Sequence, residues 1–155
     1  MKIIKFPQSC LLVETNNKKI LVDPGVIKYE DTYFNIWNSV DAILITHKHG
    51  DHCNYDVLKN IKNIPMYSTK EVKDTYPDLD ISIVKANDEF KIGDIKIEVT
   101  KAIHGYNPLL KGGKEVFENV GYIIDDGKKR LYISSDTICF NNDYKADIVF
   151  LPITG

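Results

Sequence analysis

Arginine is nearly missing from this 155-residue chain, since Arg130 is the only one among its 20 basic residues. The formal net charge is −2, whereas proteins that bind nucleic acid through its phosphates usually carry a positive surface rich in arginine. The composition therefore disfavours a nucleic-acid partner. No apolar run approaches the roughly 20 residues that cross a bilayer. The first residues also lack the apolar core of a signal peptide, so we expect a cytoplasmic protein without a membrane partner.

Cysteine is also scarce, with three residues at positions 10, 53 and 139 and no Cys-x-x-Cys pair. This number suits a reducing compartment and argues against a disulfide framework. Cys53 directly follows a cluster of histidines, and we interpret it as a buried thiol rather than as a ligand or nucleophile. The length and the hydrophobic fraction of 43% predict a single soluble domain over residues 1–155.

Short strand patterns dominate the chain. Residues 9–14 and 18–22 flank Thr15-Asn16-Asn17, which predicts a β-hairpin. Residues 41–46 are apolar throughout, as in a strand buried on both faces. Asn54 is a candidate N-cap for a short helix, and residues 69–73 predict a second helix. Six more strands are predicted from residue 81 onward, so the pattern indicates a layered α/β fold without an internal repeat.

Three of the four histidines lie within one short segment, His47-Lys48-His49-Gly50-Asp51-His52. The segment follows the predicted buried strand, so a rigid element would support its side chains. Imidazole nitrogens and carboxylate oxygens are the ligands that zinc prefers in proteins. The alternative is a chance cluster in an exposed loop, and the tight grouping favours the metal site.

Three further residues stand where predicted strands end. His104 follows the strand pattern over residues 95–103, and Asp136 follows residues 131–135. On its own, a lone histidine of this kind is more often structural, and Asp136 alone would be a turn or capping residue. Asp23 precedes Pro24-Gly25 after the hairpin. It is either a simple turn residue or a carboxylate that supports a metal ligand.

Taken in order, these elements resemble the metallo-β-lactamase superfamily. The resemblance rests on Asp23-Pro24-Gly25, on the Thr-His-x-His-x-Asp-His pattern from Thr46 to His52, on His104 and on Ser135-Asp136-Thr137. The chain is most similar to the small zinc-dependent hydrolases that include lactonases and phosphodiesterases. The resemblance implies an αββα sandwich with helices outside two sheets.

The same resemblance implies the role of each site residue. His47, His49 and His104 would bind a first metal ion, and Asp51 and His52 would bind a second. Asp136 would bridge the two ions, and Asp51 would also act in catalysis by orienting a metal-bound hydroxide and carrying its proton. Histidine at position 49 favours zinc, because the flavo-diiron branch of the superfamily has glutamate there.

The expected function is zinc-dependent hydrolysis of an ester, lactone or phosphodiester bond in a small metabolite. Two alternatives stay open, namely a nuclease of the same superfamily and a metal-binding protein without turnover. Tyr106, Lys111 and Lys114 are candidate substrate contacts in a loop that could also be a plain solvated turn.

The C-terminal end departs from the superfamily pattern. No histidine follows His104, although the superfamily usually supplies one more to the second metal site. We therefore expect a fold that lacks its last elements, and a second zinc that binds more weakly than the first. An uncovered sheet near residues 148–151 would also favour a homo-oligomer.

Overall fold

The computed structural model describes residues 1–105 and 115–152, which form two β-sheets and three short helices. The first sheet has six strands in the order in which they occur in the chain. These strands are β1 (Lys2–Lys5), β2 (Leu11–Thr15), β3 (Lys18–Val22), β4 (Ala42–Leu44), β5 (Met66–Ser68) and β6 (Ile81–Ile83). The pairs β1–β2 and β2–β3 are antiparallel, and the three pairs from β3 to β6 are parallel.

The predicted hairpin joins β2 to β3, with Thr15 paired to Lys18. Asn16 and Asn17 have φ angles of 47° and 58°. A two-residue hairpin turn requires such left-handed conformations, which asparagine tolerates better than most residues.

The second sheet has five strands in the order β11-β10-β9-β8-β7. They are β7 (Glu89–Ile92), β8 (Ile95–Lys101), β9 (Val120–Asp125), β10 (Arg130–Ile133) and β11 (Ile148–Phe150). The strands from β7 to β10 pair antiparallel, whereas β11 pairs parallel to β10.

Continuous apolar runs in the first sheet reflect burial on both of its faces. In β2, Leu11 and Val13 pack toward the second sheet, while Leu12 packs toward the helices. The same division recurs in β4, where Leu44 belongs to the core between the sheets and Ile43 to the core beneath the helices. Two hydrophobic cores therefore lie on opposite sides of one sheet.

The helices are α1 (Thr32–Trp37), α2 (Tyr55–Leu58) and α3 (Lys70–Thr75). The Asn54 side chain accepts a hydrogen bond from the backbone N–H of Val57, which confirms the predicted cap of α2. Each helix buries one large apolar residue against the first sheet. These residues are Trp37, Leu58 and Val72.

Asp126 joins the two sheets at the end remote from the histidines. Its carboxylate accepts hydrogen bonds from the Thr15 hydroxyl at 2.6 Å and from the backbone N–H groups of Lys128 and Lys129. The Thr15 hydrogen bond is the main reason that the pKa of Asp126 falls to about 2.

The predicted layered α/β arrangement is confirmed. Within residues 1–105 and 115–152, the helices cover only the outer face of the first sheet, so three of the four expected layers are present. No helix in these ranges is long and apolar enough to cross a membrane.

Candidate metal centre

The histidine motif begins where β4 ends, beside the end of the neighbouring strand β3. Asp23 follows β3, and its backbone N–H donates to the carbonyl of Leu44. The next residues hold the motif loop, because Val26 N–H donates to the Gly50 carbonyl and Asn54 N–H donates to the Pro24 carbonyl. The carboxyl ends of two parallel strands therefore position the loop.

Three imidazoles form a triangle at this edge. One potential ligand atom from each of His47, His49 and His104 lies within 4.8 Å of the other two. The ring centroids are 4.8–5.0 Å apart. His104 follows β8 of the second sheet, whereas the other two follow β4 of the first. The triangle thus depends on the docking of the two sheets.

Hydrogen bonding determines which nitrogen of His47 carries the proton. The Thr46 hydroxyl donates to the Asp23 carboxylate at 2.9 Å, and the Ser135 hydroxyl donates to Asn119 Oδ1 at 2.7 Å. Each hydroxyl has a single hydrogen, so both must accept from His47 Nδ1, at 3.1 and 3.3 Å respectively. Nε2 of His47 therefore carries a free lone pair.

The same reasoning applies to His104. Its Nδ1 lies 2.7 Å from the Gly105 carbonyl, which can only accept, so Nδ1 is protonated. Nε2 of His104 and Nε2 of His47 are both buried without a hydrogen-bond partner among the described residues. A buried polar atom left unpaired costs about 1–3 kcal/mol. A metal ion would satisfy both atoms, so these residues fit the expected ion.

Burial, followed by the nearby imidazoles of His52, His49 and His104, lowers the pKa of His47 far below its usual value. His47 is consequently neutral, which is the form that binds metals.

His52 lies in a second, more acidic group. Its Nδ1 donates to Asp23 Oδ2 at 2.9 Å, and Asp23 Oδ1 accepts from the backbone N–H of Thr46 at 2.8 Å. Asp23 is 1% exposed, so this contact is shielded from water. A carboxylate that holds one nitrogen of a histidine and directs the other outward is the usual support for a metal ligand. The structure therefore favours the supporting role for Asp23 over that of a simple turn residue.

Three oxygen atoms surround His52 Nε2. They are Ser9 Oγ at 3.0 Å, Asp136 Oδ2 at 3.3 Å and Asp51 Oδ2 at 3.8 Å. Burial acts to lower the pKa of His52, but the carboxylates of Asp23 and Asp136 outweigh it and raise that pKa to about 10. Burial likewise acts to raise the pKa of Asp136, yet His52 lowers it overall.

The structure brings five of the six predicted ligands into two groups that share His47. One is the imidazole triangle, and the other consists of His47, His52 and Asp136. Asp51 belongs to neither group. Its carboxylate is 34% exposed and faces His52 from the longer distance of 3.8 Å.

Sequence reasoning missed Ser9, Asn119 and Ser135 as members of this site. Ser135 has a φ angle of 62° although it is not glycine, and it is buried. A strained backbone at a site is often retained for a function. In this conformation the Ser135 hydroxyl lies 3.3 Å from His47 Nδ1. Ser135 precedes the predicted ligand Asp136, which was the only available signal, and nothing in the sequence links Ser9 or Asn119 to the motif.

Two salt-bridged residues brace the outer side of the motif. Lys48 Nζ contacts Glu71 Oε1 at 2.5 Å, with both side chains largely buried. Glu71 also accepts hydrogen bonds from the backbone N–H groups of Phe117 and Glu118. This arrangement ties α3 and the segment after residue 114 to the histidine motif.

Cys53 is buried, as predicted, and burial raises the pKa of its thiol to about 12.

The candidate substrate contacts Tyr106, Lys111 and Lys114 lie outside the described residues. A cavity of about 450 Å³ opens beside the second group. Asp51, His52 and Asp136 line one side of this cavity, and Leu11 and Phe150 contribute apolar surface.

Comparisons with known proteins agree with this geometry. A family model described as a β-lactamase superfamily domain matches residues 2–155. A UPF0173 metal-dependent hydrolase of Bacillus thuringiensis subsp. konkukian is 29% identical over 179 residues, which cover 99% of this chain and 73% of that protein.

Two solved structures share the fold. A crystal structure from Parabacteroides distasonis superposes with a TM-score of 0.69 at 27% identity, over 87% of this chain and 60% of that one. An isothiocyanate hydrolase from Delia radicum gut bacteria superposes with a TM-score of 0.67 at 20% identity, over 90% of this chain and 64% of that one.

Proposed function

This chain belongs to the β-lactamase superfamily, and from that premise we propose that it is a zinc-dependent hydrolase of an ester, lactone or phosphodiester in a small metabolite. The coarser part of this function, metal-dependent hydrolysis, is shared with the relative from Bacillus thuringiensis. The identity of the metal and of the bond rests on the chemistry of the site.

One observation carries the proposal, namely the two buried and unpartnered Nε2 atoms of His47 and His104. Together with His49 they would supply three neutral nitrogen ligands to a first ion, which is the donor set of many catalytic zinc sites. Asp51, His52 and Asp136 would hold a second ion. Nitrogen-rich sites suit zinc better than magnesium or calcium, which prefer oxygen.

Bound zinc would polarise the oxygen of a substrate and lower the pKa of water to near 7. The residues of this chain would transfer the proton and orient the ligands. Asp51 is partly exposed on the wall of the cavity, so its carboxylate can accept and return a proton during the reaction. Asp23 is buried, and both of its carboxylate oxygens already accept hydrogen bonds, so its role is to keep the proton of His52 on Nδ1.

The cavity beside Asp51 and Asp136 limits the size and the polarity of the substrate. A volume of about 450 Å³ falls in the range of small-molecule sites. Polar groups on one side and apolar side chains on the other suit a metabolite whose scissile bond faces the metal site.

Metal analysis and a substrate panel test the proposal. The purified protein is incubated with zinc, freed of excess metal and assayed on an aryl ester, a lactone and an aryl phosphodiester. We expect at least one bound zinc and chelator-sensitive hydrolysis of one class. His104→Ala should lose this hydrolysis, and the exposed control Asn60→Ala should retain it. Stoichiometric zinc without hydrolysis of any class would instead indicate a metal-binding protein without turnover.

A further inference from the structure

Ser9 lies at the edge of the first sheet, beside the second group of candidate ligands. It falls in the tight connection between β1 and β2, where the backbone N–H of Phe6 donates to the Cys10 carbonyl at 3.0 Å. The preceding residue, Gln8, has a φ angle of 56°, which is costly for a residue other than glycine. The Cys10 side chain is buried beneath the turn. The position of Ser9 is therefore fixed by the fold.

The distance between Ser9 and His52 is that expected for two ligands of one ion. Bonds of about 2.0–2.1 Å place neighbouring donor atoms roughly 2.9 Å apart at a right angle and roughly 3.4 Å apart at a tetrahedral angle. Ser9 Oγ lies 3.0 Å from His52 Nε2, and Asp136 Oδ2 lies 3.3 Å from the same atom. Asp51 Oδ2 lies 3.8 Å from His52 Nε2, so it would need to move closer to bind the same ion.

We propose that Ser9 Oγ is a ligand of the second metal site, together with His52, Asp136 and Asp51. The inference rests on the proposed metal centre and adds an oxygen donor from the N-terminal hairpin, where the sequence pattern predicts none. Asp23 supports it, because its hold on His52 Nδ1 directs Nε2 toward the atoms that Ser9 and Asp136 present, and a bound ion would take the place of the proton on Nε2.

A hydroxyl is a weak ligand, so Ser9 would add only modestly to metal affinity. Its main effect would be on the position of the second ion. Ser9 also lines the cavity of about 450 Å³. A ligand at this position would fix the second ion on the cavity wall, beside Asp51. Loss of this ligand would leave the imidazole triangle intact, because Ser9 hydrogen-bonds to His52, which is not part of the triangle.

Cobalt titration of metal-free protein tests the assignment. In Ser9→Ala, we expect the second binding step to weaken by about 3- to 10-fold while the first step is unchanged. Ser9→Cys places a thiolate at the same position, and thiolates are strong ligands of such metals. We expect this variant to develop a sulfur-to-cobalt charge-transfer band in the near ultraviolet as the second equivalent binds, and to bind that equivalent more tightly.

Two controls separate this result from an unspecific thiol effect. The wild-type protein, which has three cysteines, gives the baseline spectrum. Ser39→Cys adds a thiol at an exposed position after α1 and should add no band. If Ser9→Cys gives no band and Ser9→Ala leaves the second step unchanged, Ser9 is only a hydrogen-bond partner of His52. If wild-type protein binds no metal at all, the proposed function fails together with this inference.

Discussion

Replacing Asp23 by asparagine should weaken the second metal site without changing its ligands. Asp23 Oδ2 accepts from two donors, the Thr46 hydroxyl and His52 Nδ1. An asparagine can keep Oδ1 facing the backbone N–H of Thr46 only by turning its NH₂ group toward those donors. The Thr46 hydroxyl can rotate and accept instead, but His52 must then accept through Nδ1. Its proton moves to Nε2 and blocks the atom that faces the metal site.

The expected loss of metal affinity follows from the inability of asparagine to accept hydrogen bonds from both Thr46 N–H and His52 Nδ1. Flipping the amide would instead leave the buried Thr46 N–H facing a donor, which costs about 1–3 kcal/mol. Loss of a residue that supports a metal ligand typically lowers metal affinity by about 10- to 100-fold. We therefore expect the second step of a zinc titration to weaken by that factor, and the step assigned to the imidazole triangle to change only slightly.

Isothermal titration calorimetry of metal-free protein provides the measurement. Asp41→Asn is the matched control, because Asp41 binds Lys18 and the backbone of Lys19 and has no contact with the motif. This control should lose some stability and no metal affinity. A second step in Asp23→Asn that equals that of the wild-type protein would refute the tautomer argument.

Three other predictions concern the loop, the ligands and the sheet junction. Gly25→Ala should displace the motif loop and weaken metal binding, because a Cβ at Gly25 would lie 1.9 Å from the Asp51 carbonyl oxygen; circular dichroism and titration would separate misfolding from a local shift. His47→Ala should abolish zinc binding, whereas His52→Ala should leave one equivalent bound, as elemental analysis would show. Asp126→Asn should lose about 1–2 kcal/mol at neutral pH. Because the folded pKa of Asp126 is about 2, below the unfolded value of about 3.9, its contribution is present above pH 4 and fades as the pH falls toward 2. Urea denaturation at several pH values should show a stability difference between wild type and variant that is present above pH 4 and shrinks as the pH falls toward 2.

Local patterns in the sequence predicted most of the secondary structure. The β2–β3 hairpin was correctly predicted, because two asparagines in a two-residue turn leave little alternative. The cap of α2 was also correct. Residues 29–40 show no clear apolar period, so the sequence predicts only a loop with one helical turn there. Helix α1 forms within this segment, and Trp37 is its buried residue.

The contacts that complete the site could not be predicted in this way. Ser9 and His52 are 43 positions apart in sequence, and Ser135 and His47 are 88 apart. The first pair meets at one edge of the first sheet, between the β1–β2 connection and the loop after β4, and the second pair meets only because the two sheets dock. The motif from His47 to His52 and the strand-end positions of His104 and Asp136 were visible, since they depend on local order. Their hydrogen-bond partners depend on tertiary structure.

The strand order of the first sheet has a consequence for synthesis of the protein on the ribosome. Because β1 to β6 lie side by side in chain order, a nascent chain can add each strand to its predecessor as it emerges. The apolar face formed by Leu11, Val13 and Ile20 stays uncovered until strands made later pack on it, and exposed apolar surface of this kind makes an incomplete chain prone to aggregation. His104 and Asp136 are also synthesised late, so the metal ion would bind last and would stabilise a chain that has already folded.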